Sequence, residues 1–186
     1  MKIHIFGPAG SGVTTLGKAL ATEKTPYFDV DDYYWKQTEI PFSEKSPIPV
    51  RQQQILNDVA PFSHWILGGS LISWGDFIKN DFDLVVYLYV PQDIRVARLK
   101  KREYERYGDK IHTDTSMKKK FADFIAWAKL YEDDTFRGRS RKNHLQWLET
   151  LKCQVIKIEG DTTTAERSTA VKNHMKVQKS YFFSCL

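Results

Sequence analysis

The stretch GPAGSGVTT at residues 7–15 decides the reading of this chain. It directly follows the apolar run KIHIF (Lys2 to Phe6) and directly precedes LGKALATEK, which reads as a helix. Gly7, Gly10 and Gly12 let the chain turn tightly, since glycine tolerates positive φ. The backbone N–H groups turned inward join the positive end of the following helix in a nest for phosphate oxygens. The pattern G-x-x-x-x-G-K-[ST] is met at every place except one: Val13 stands where lysine belongs. We assign the whole loop to phosphate binding. Gly7, Pro8, Ala9, Gly10, Ser11, Gly12 and Val13 contribute main chain, and Thr14 and Thr15 add hydroxyls. Thr14 sits where the hydroxyl that holds Mg²⁺ belongs. The competing readings are a glycine-rich turn in some other α/β protein and simple helix capping by the two threonines.

Working outward, strands and helices alternate. Pro26 to Val30 reads as a short buried strand ending in the acids Asp29, Asp31 and Asp32. An aromatic, proline-rich stretch follows, in which Pro41, Pro47 and Pro49 oppose a continuous helix. Arg51 to Ala60 suits a helix, and Trp65 to Gly69 a third strand ending in two glycines. Leu84 to Val90 is the clearest strand: apolar, β-branched and aromatic, then stopped by Pro91. Gln92 to Tyr107 is helical and Gly108 breaks it. A polar segment, DKIHTDTS, leads to a second helix with Phe121, Phe124, Ile125, Ala128 and Leu130 at helical spacing. A third helix covers about Ser140 to Leu151, a fifth strand Gln154 to Ile158, and a last helix about Thr162 to Val177, capped by Asp161 or Thr162. The expected fold is a three-layer α/β/α domain with a five-stranded parallel sheet, spanning residues 1–186 as a single unit. In such a sheet the ligand sits at the carboxyl ends of the strands. Those ends carry Gly7, Asp29, Asp31, Gly68, Gly69 and Pro91.

Composition narrows the classes of function. A chain of 186 residues, 41% hydrophobic and 27% charged, has the size and balance of one soluble domain. No apolar stretch approaches the roughly 20 residues that span a bilayer, and no basic and apolar leader precedes the first strand. Neither a membrane partner nor a signal peptide is expected. Cys153 and Cys185 form no disulfide framework or metal spacing, and Cys185 does not match a prenylation signal. A reducing cytoplasm is the expected location. The formal charge of +5 raises a nucleic-acid reading. The basic residues, however, gather in Arg95 to Lys120 and Arg137 to Lys142 rather than along a face with interleaved aromatics. That placement favours a small polyphosphate, with Lys118, Lys119 and Lys120 read as a solvated helix face.

These pieces, in order over nearly the whole chain, resemble the P-loop kinases of the nucleoside-monophosphate and shikimate kinase type. FDVD at 28–31 is similar to the D-x-D after strand two in shikimate and gluconate kinases. WILGGS resembles the glycines after strand three that line the acceptor pocket there. LVVYLYVPQDIRVARLKKR resembles the strand, proline and arginine-bearing helix that precede the lid in adenylate kinase-like enzymes. FRGRSRKNH at 136–144 stands where those enzymes have arginines facing the transferred phosphate. More narrowly, the loop and LVVYLYVP look like a bacterial group of adenylate kinase-related proteins that commonly lacks the loop lysine.

The resemblance implies an ATP- or GTP-dependent phosphotransferase using Mg²⁺ and acting on a small molecule. The alternative is a nucleotide-binding module with little or no catalysis, because the loop lysine normally neutralises charge that develops in transfer. Asp29 is assigned to Mg²⁺ with Thr14. Asp31 is assigned to orienting or deprotonating an acceptor hydroxyl, and Asp32 to the acceptor. Tyr34, Arg51, Gly68 and Gly69 complete the acceptor side, where Tyr33 and Trp35 also stand and Trp74 closes the pocket. Arg98, Arg137 and Arg141 are assigned to the phosphates, with Arg102 and Arg139 as further candidates, because guanidinium matches phosphate geometry. The acceptor-binding insertion spans about 33–64 and a lid-like region about 103–142. His4 reads as a packed residue.

Overall fold

A computed structural model describes residues 1–39 and 41–183; Cys185 lies outside them. Five strands form one parallel sheet in the order β2-β3-β1-β4-β5. They are β1 (Lys2–Phe6), β2 (Tyr27–Asp29), β3 (Trp65–Gly68), β4 (Leu84–Tyr89) and β5 (Gln154–Glu159). β1 pairs with β3 from Lys2 opposite Trp65 and with β4 from Ile3 opposite Leu84. The sheet thus grows outward from β1 in both directions, and the loop after β1 leaves at the point where strand order reverses, the ligand position of open α/β sheets.

The helices are α1 (Val13–Leu20), α2 (Val30–Tyr34), α3 (Ile48–Val59), α4 (Gln92–Tyr107), α5 (Lys110–Thr113), α6 (Thr115–Lys129), α7 (Arg141–Glu149) and α8 (Thr164–Phe183). Side chains alternate between sheet faces with period two. Ile3, Ile5, Ile66, Leu84 and Val86 pack with Leu16 of α1 and Val171 of α8. Phe6, Leu67, Val85 and Tyr87 face the other way, toward Ile55 and Val59 of α3 and Leu148 of α7. Both faces are therefore covered, which is why β4 is apolar almost without interruption. A third cluster (Val96, Leu99, Ile125, Ala128) holds α6 against α4. None of the described helices is long and apolar enough to cross a membrane.

Four local expectations change. Val30, placed at the end of a strand by its apolar character, instead begins α2, whose N-cap is the Asp29 carboxylate accepting from the Asp31 N–H. Pro49 falls in the first turn of α3, where a missing N–H costs nothing, so that helix starts before Arg51. The polar DKIHTDTS folds into α5 with Ile111 buried, and the Asp114 carboxylate caps α6 by accepting from the Met117 N–H at 2.8 Å. At the start of α8, Thr163 and Glu166 form the reciprocal capping pair, rather than Asp161 or Thr162 acting as cap.

Candidate functional site

The loop from Gly7 to Gly12 forms one wall of a cavity of about 1560 Å³ at the carboxyl edge of the sheet. Gly10 and Gly12 have φ of 81° and 93°. A side chain at Gly10 would also meet the backbone of Arg95, and one at Gly12 the Arg167 guanidinium. Ser11 N–H donates to the Pro8 carbonyl at 3.1 Å, closing the turn, and α1 starts directly at Val13. Val13 borders the cavity and also packs against the apolar cluster under α1 and α8.

Across from the loop's end, the Thr14 hydroxyl donates to Asp29 Oδ2 at 3.0 Å, and Tyr27 OH donates to the same oxygen at 3.0 Å. Asp31 opens onto the cavity. The protein crowded around it pushes its carboxyl above the ordinary range, Asp29 and Asp32 add to that, and Arg139 and Arg102 pull it back. Thr14 and Asp29 supply hard oxygen donors of the kind Mg²⁺ takes. Among the described residues there is no group of three or more His, Cys, Asp or Glu side chains arranged to hold a metal.

The opposite part of the cavity is built around Arg51. It is 6% exposed, and its guanidinium lies between two aromatic faces, 4.3 Å from the Tyr34 ring centroid and 4.2 Å from that of Trp74. Its Nε and Nη1 have no hydrogen-bond partner among the described residues. Gly69 lines the same cavity with φ of 120°, and Ser70 follows it. Ser70 Oγ bonds His144 Nε2 at 3.1 Å, Nδ1 of that ring bonds Tyr131 OH at 2.9 Å, and Tyr131 OH bonds Tyr87 OH at 2.8 Å. Burial, with Arg139 and His4 nearby, keeps His144 neutral by lowering its pKa well below the usual value.

The expected site residues divide by location. The loop residues other than Ser11, which is fully buried, border the cavity, as do Thr14, Thr15, Asp29, Asp31, Tyr34, Arg51, Gly69 and Arg98. Asp32 instead borders a smaller cleft with Lys18 and Tyr33. Gly68 is covered by the Tyr27 ring, which leaves no room there for a side chain. Arg137 is exposed and outside the cavity lining. Arg141 stacks on the Tyr89 ring at 4.3 Å, also outside the lining. Of the three alternating arginines, it is Arg139 that borders the cavity, with its guanidinium 5.4 Å from the Trp127 ring centroid. Lys120, read as part of a solvated face, borders the cavity too.

Two residues had no role assigned from sequence. Arg95 is fully buried and donates to Val90 O, Ala9 O, Ala128 O and the Glu132 carboxylate. Arg167 of α8 donates to Ser11 O, Gly160 O and Thr162 Oγ1. The available signal was a charged residue on the apolar stripe of its helix: Arg95 lies one turn before Leu99, which packs in the core between α4 and α6.

No protein-family model matches the chain. Among solved structures, deoxyadenosine kinase from M. mycoides with bound dATP superposes with a TM-score of 0.57 at 15% identity, over 95% of this chain and 100% of that one. Shikimate kinase from Bacteroides thetaiotaomicron gives 0.52 at 19% identity, over 95% and 98%. These likenesses show the P-loop kinase fold. Among curated proteins, the uncharacterized protein YqaC of Bacillus subtilis (strain 168) is 40% identical over 175 residues, covering 93% of this chain and 96% of that one. At that identity and coverage, the chain belongs to the family of YqaC.

Proposed function

We propose that this protein is an ATP- or GTP-dependent kinase for a small, anionic acceptor bearing a hydroxyl or phosphate group. The observation that carries this reading is Arg51: a buried guanidinium, gripped by Tyr34 and Trp74 and with open donors, bordering the same cavity as a phosphate loop. A buried cation without a carboxylate is costly to keep, so its natural complement is an anion from outside the chain. The fold shared with deoxyadenosine and shikimate kinases supports a small-molecule acceptor.

In this reading the loop amides and Thr15 bind the β- and γ-phosphates. Thr14 and Asp29 hold Mg²⁺, which when bound neutralises phosphate charge. Arg51 fixes the acceptor so that its hydroxyl oxygen faces the γ-phosphorus. That oxygen bonds to phosphorus as the bond from phosphorus to the β–γ bridging oxygen breaks, and the bridging oxygen leaves with the electron pair on the diphosphate. Asp31 takes the hydroxyl proton. Arg98, Arg102 and Arg139 serve the phosphates; Arg137 and Arg141 join only if a lid closes. The region about 33–64 serves as acceptor-binding insertion and about 103–142 as lid, and the protein works in the cytoplasm.

Val13 favours a second reading, a nucleotide-binding module of low turnover that acts by changing shape. A coupled assay with MgATP or MgGTP against nucleoside monophosphates and hydroxylated carboxylates separates the two. Turnover with one anionic acceptor, lost in Arg51→Met, is the expected result. Tight nucleotide binding with no transfer to any acceptor would leave the second reading in place.

A further inference from the structure

Three carbonyls of the loop are met by arginines, of which Arg98 and Arg167 themselves border the cavity. Arg95 Nη1 donates to Ala9 O at 3.3 Å, and Arg167 Nη1 donates to Ser11 O at 2.5 Å. Arg98 Nη1 reaches Gly10 O at 3.5 Å, the weakest of the three, and it also pairs with Asp161. Each carbonyl shares a peptide unit with the next residue's N–H. In a planar trans peptide that N–H points the opposite way. The N–H groups of Gly10 and Gly12 therefore point away from Arg95 and Arg167 respectively. A cation on the carbonyl polarises the unit and strengthens its N–H as a donor, as in any hydrogen-bond chain.

The two buried arginines differ in how much of their charge is left over. Arg95 is also bound to the Glu132 carboxylate at 2.9 Å. All three hydrogen-bond acceptors of Arg167 are neutral oxygens, and it is 4% exposed; the Asp161 and Glu166 carboxylates act on it only through space. It also comes closest to the loop: a Cβ on Gly12 would lie 2.9 Å from its Nη1.

We propose that Arg167, seconded by Arg95, is a positioning residue that supplies through the Ser11–Gly12 and Ala9–Gly10 peptide units the positive field that Val13 does not. The loop's lost lysine is thus replaced by way of the main chain, and the site retains its pull on a polyphosphate. The inference rests on the nucleotide-binding reading above.

The test is a double-mutant cycle of Val13→Lys and Arg167→Met, with Kd for ATP and for adenosine measured by calorimetry and the Tm of each variant recorded. Arg167→Met should weaken ATP by at least about tenfold and adenosine by less than about threefold. Val13→Lys should restore ATP binding in that background far more than it improves the wild type. Equal losses for ATP and adenosine, or equal gains from Val13→Lys in both backgrounds, would overturn the proposal and mark Arg167 as a structural support. Where Arg167→Met fails to fold, Val13→Lys alone decides: a gain below about fivefold agrees, and a larger one contradicts. A wild type indifferent to ATP overturns the nucleotide-binding reading itself. A wild type that binds ATP, with Arg167→Met unchanged, overturns only this inference.

Discussion

The Thr14 hydroxyl donates to Oδ2 of Asp29 across 3.0 Å, tying the first turn of α1 to the end of β2. The other Asp29 oxygen caps α2 through the Asp31 N–H at 3.1 Å. One carboxylate thus fixes both the hydroxyl beside the phosphate loop and the backbone that carries Asp31. Thr14→Val should cut the strengthening of ATP binding by Mg²⁺ by about tenfold, while ATP binding in a metal chelator stays nearly constant. Titrations with and without Mg²⁺ check this.

Asp31→Asn should lower turnover by about 10²-fold or more and leave the Kd for ATP within about twofold. Burial raises the Asp31 pKa in the metal-free chain and Mg²⁺ held at Asp29 would lower it again, so the acid limb of the rate profile should move to lower pH as Mg²⁺ is raised. Turnover then falls with acidity as the base is protonated. A kcat profile over pH, compared with Asp31→Asn, reads this directly.

Arg51→Met should cost little stability. The two ring contacts are worth about 0.5–2 kcal/mol each, but replacing a buried, incompletely paired cation by an apolar chain of similar length also removes the cost of burying its charge. The expected outcome is an unchanged or raised Tm together with loss of acceptor binding. A sharply lowered Tm would make Arg51 a structural residue.

Stability should fall with acidity through two buried histidines. His4 stacks between Phe6 and Phe82, bonds Leu67 O through Nδ1, and is lowered by burial from 6.5 to about 3. His144 shifts in the same direction. Both stay neutral in the folded chain, so below pH 6.5 the unfolded chain binds more protons. Their contribution is complete above that pH and is lost on going down toward pH 3, at up to about 1.4 kcal/mol per pH unit for each site. His4→Phe should flatten that slope by about one proton in denaturant unfolding followed over pH 4–6.

The sheet and the glycine turn after β1 were legible because parallel strands buried on both faces leave continuous apolar runs, as in β4, and because Gly10 and Gly12 mark positions of positive φ. The clustering of Thr14, Asp29 and Asp31 at strand ends follows from the same topology. The choice among Arg137, Arg139 and Arg141 was not legible. Alternation gives no face to a loop, and packing on Trp127 and Tyr89 separates Arg139 from Arg141. The loop contacts of Arg95 and Arg167 leave no local pattern in the sequence, because they reach carbonyls 86 and 156 residues away. The α5 turn in DKIHTDTS depends on one buried side chain, Ile111, too sparse a pattern to give a period.

Calorimetric titration of the full chain with MgATP and MgGTP tests the central claim most directly. The expected result is saturable binding of at least one of them, strengthened by Mg²⁺, competed by its diphosphate and weakened in Gly12→Ala. Indifference to both nucleotides at millimolar concentration, with the chain folded, would contradict the phosphate-loop account.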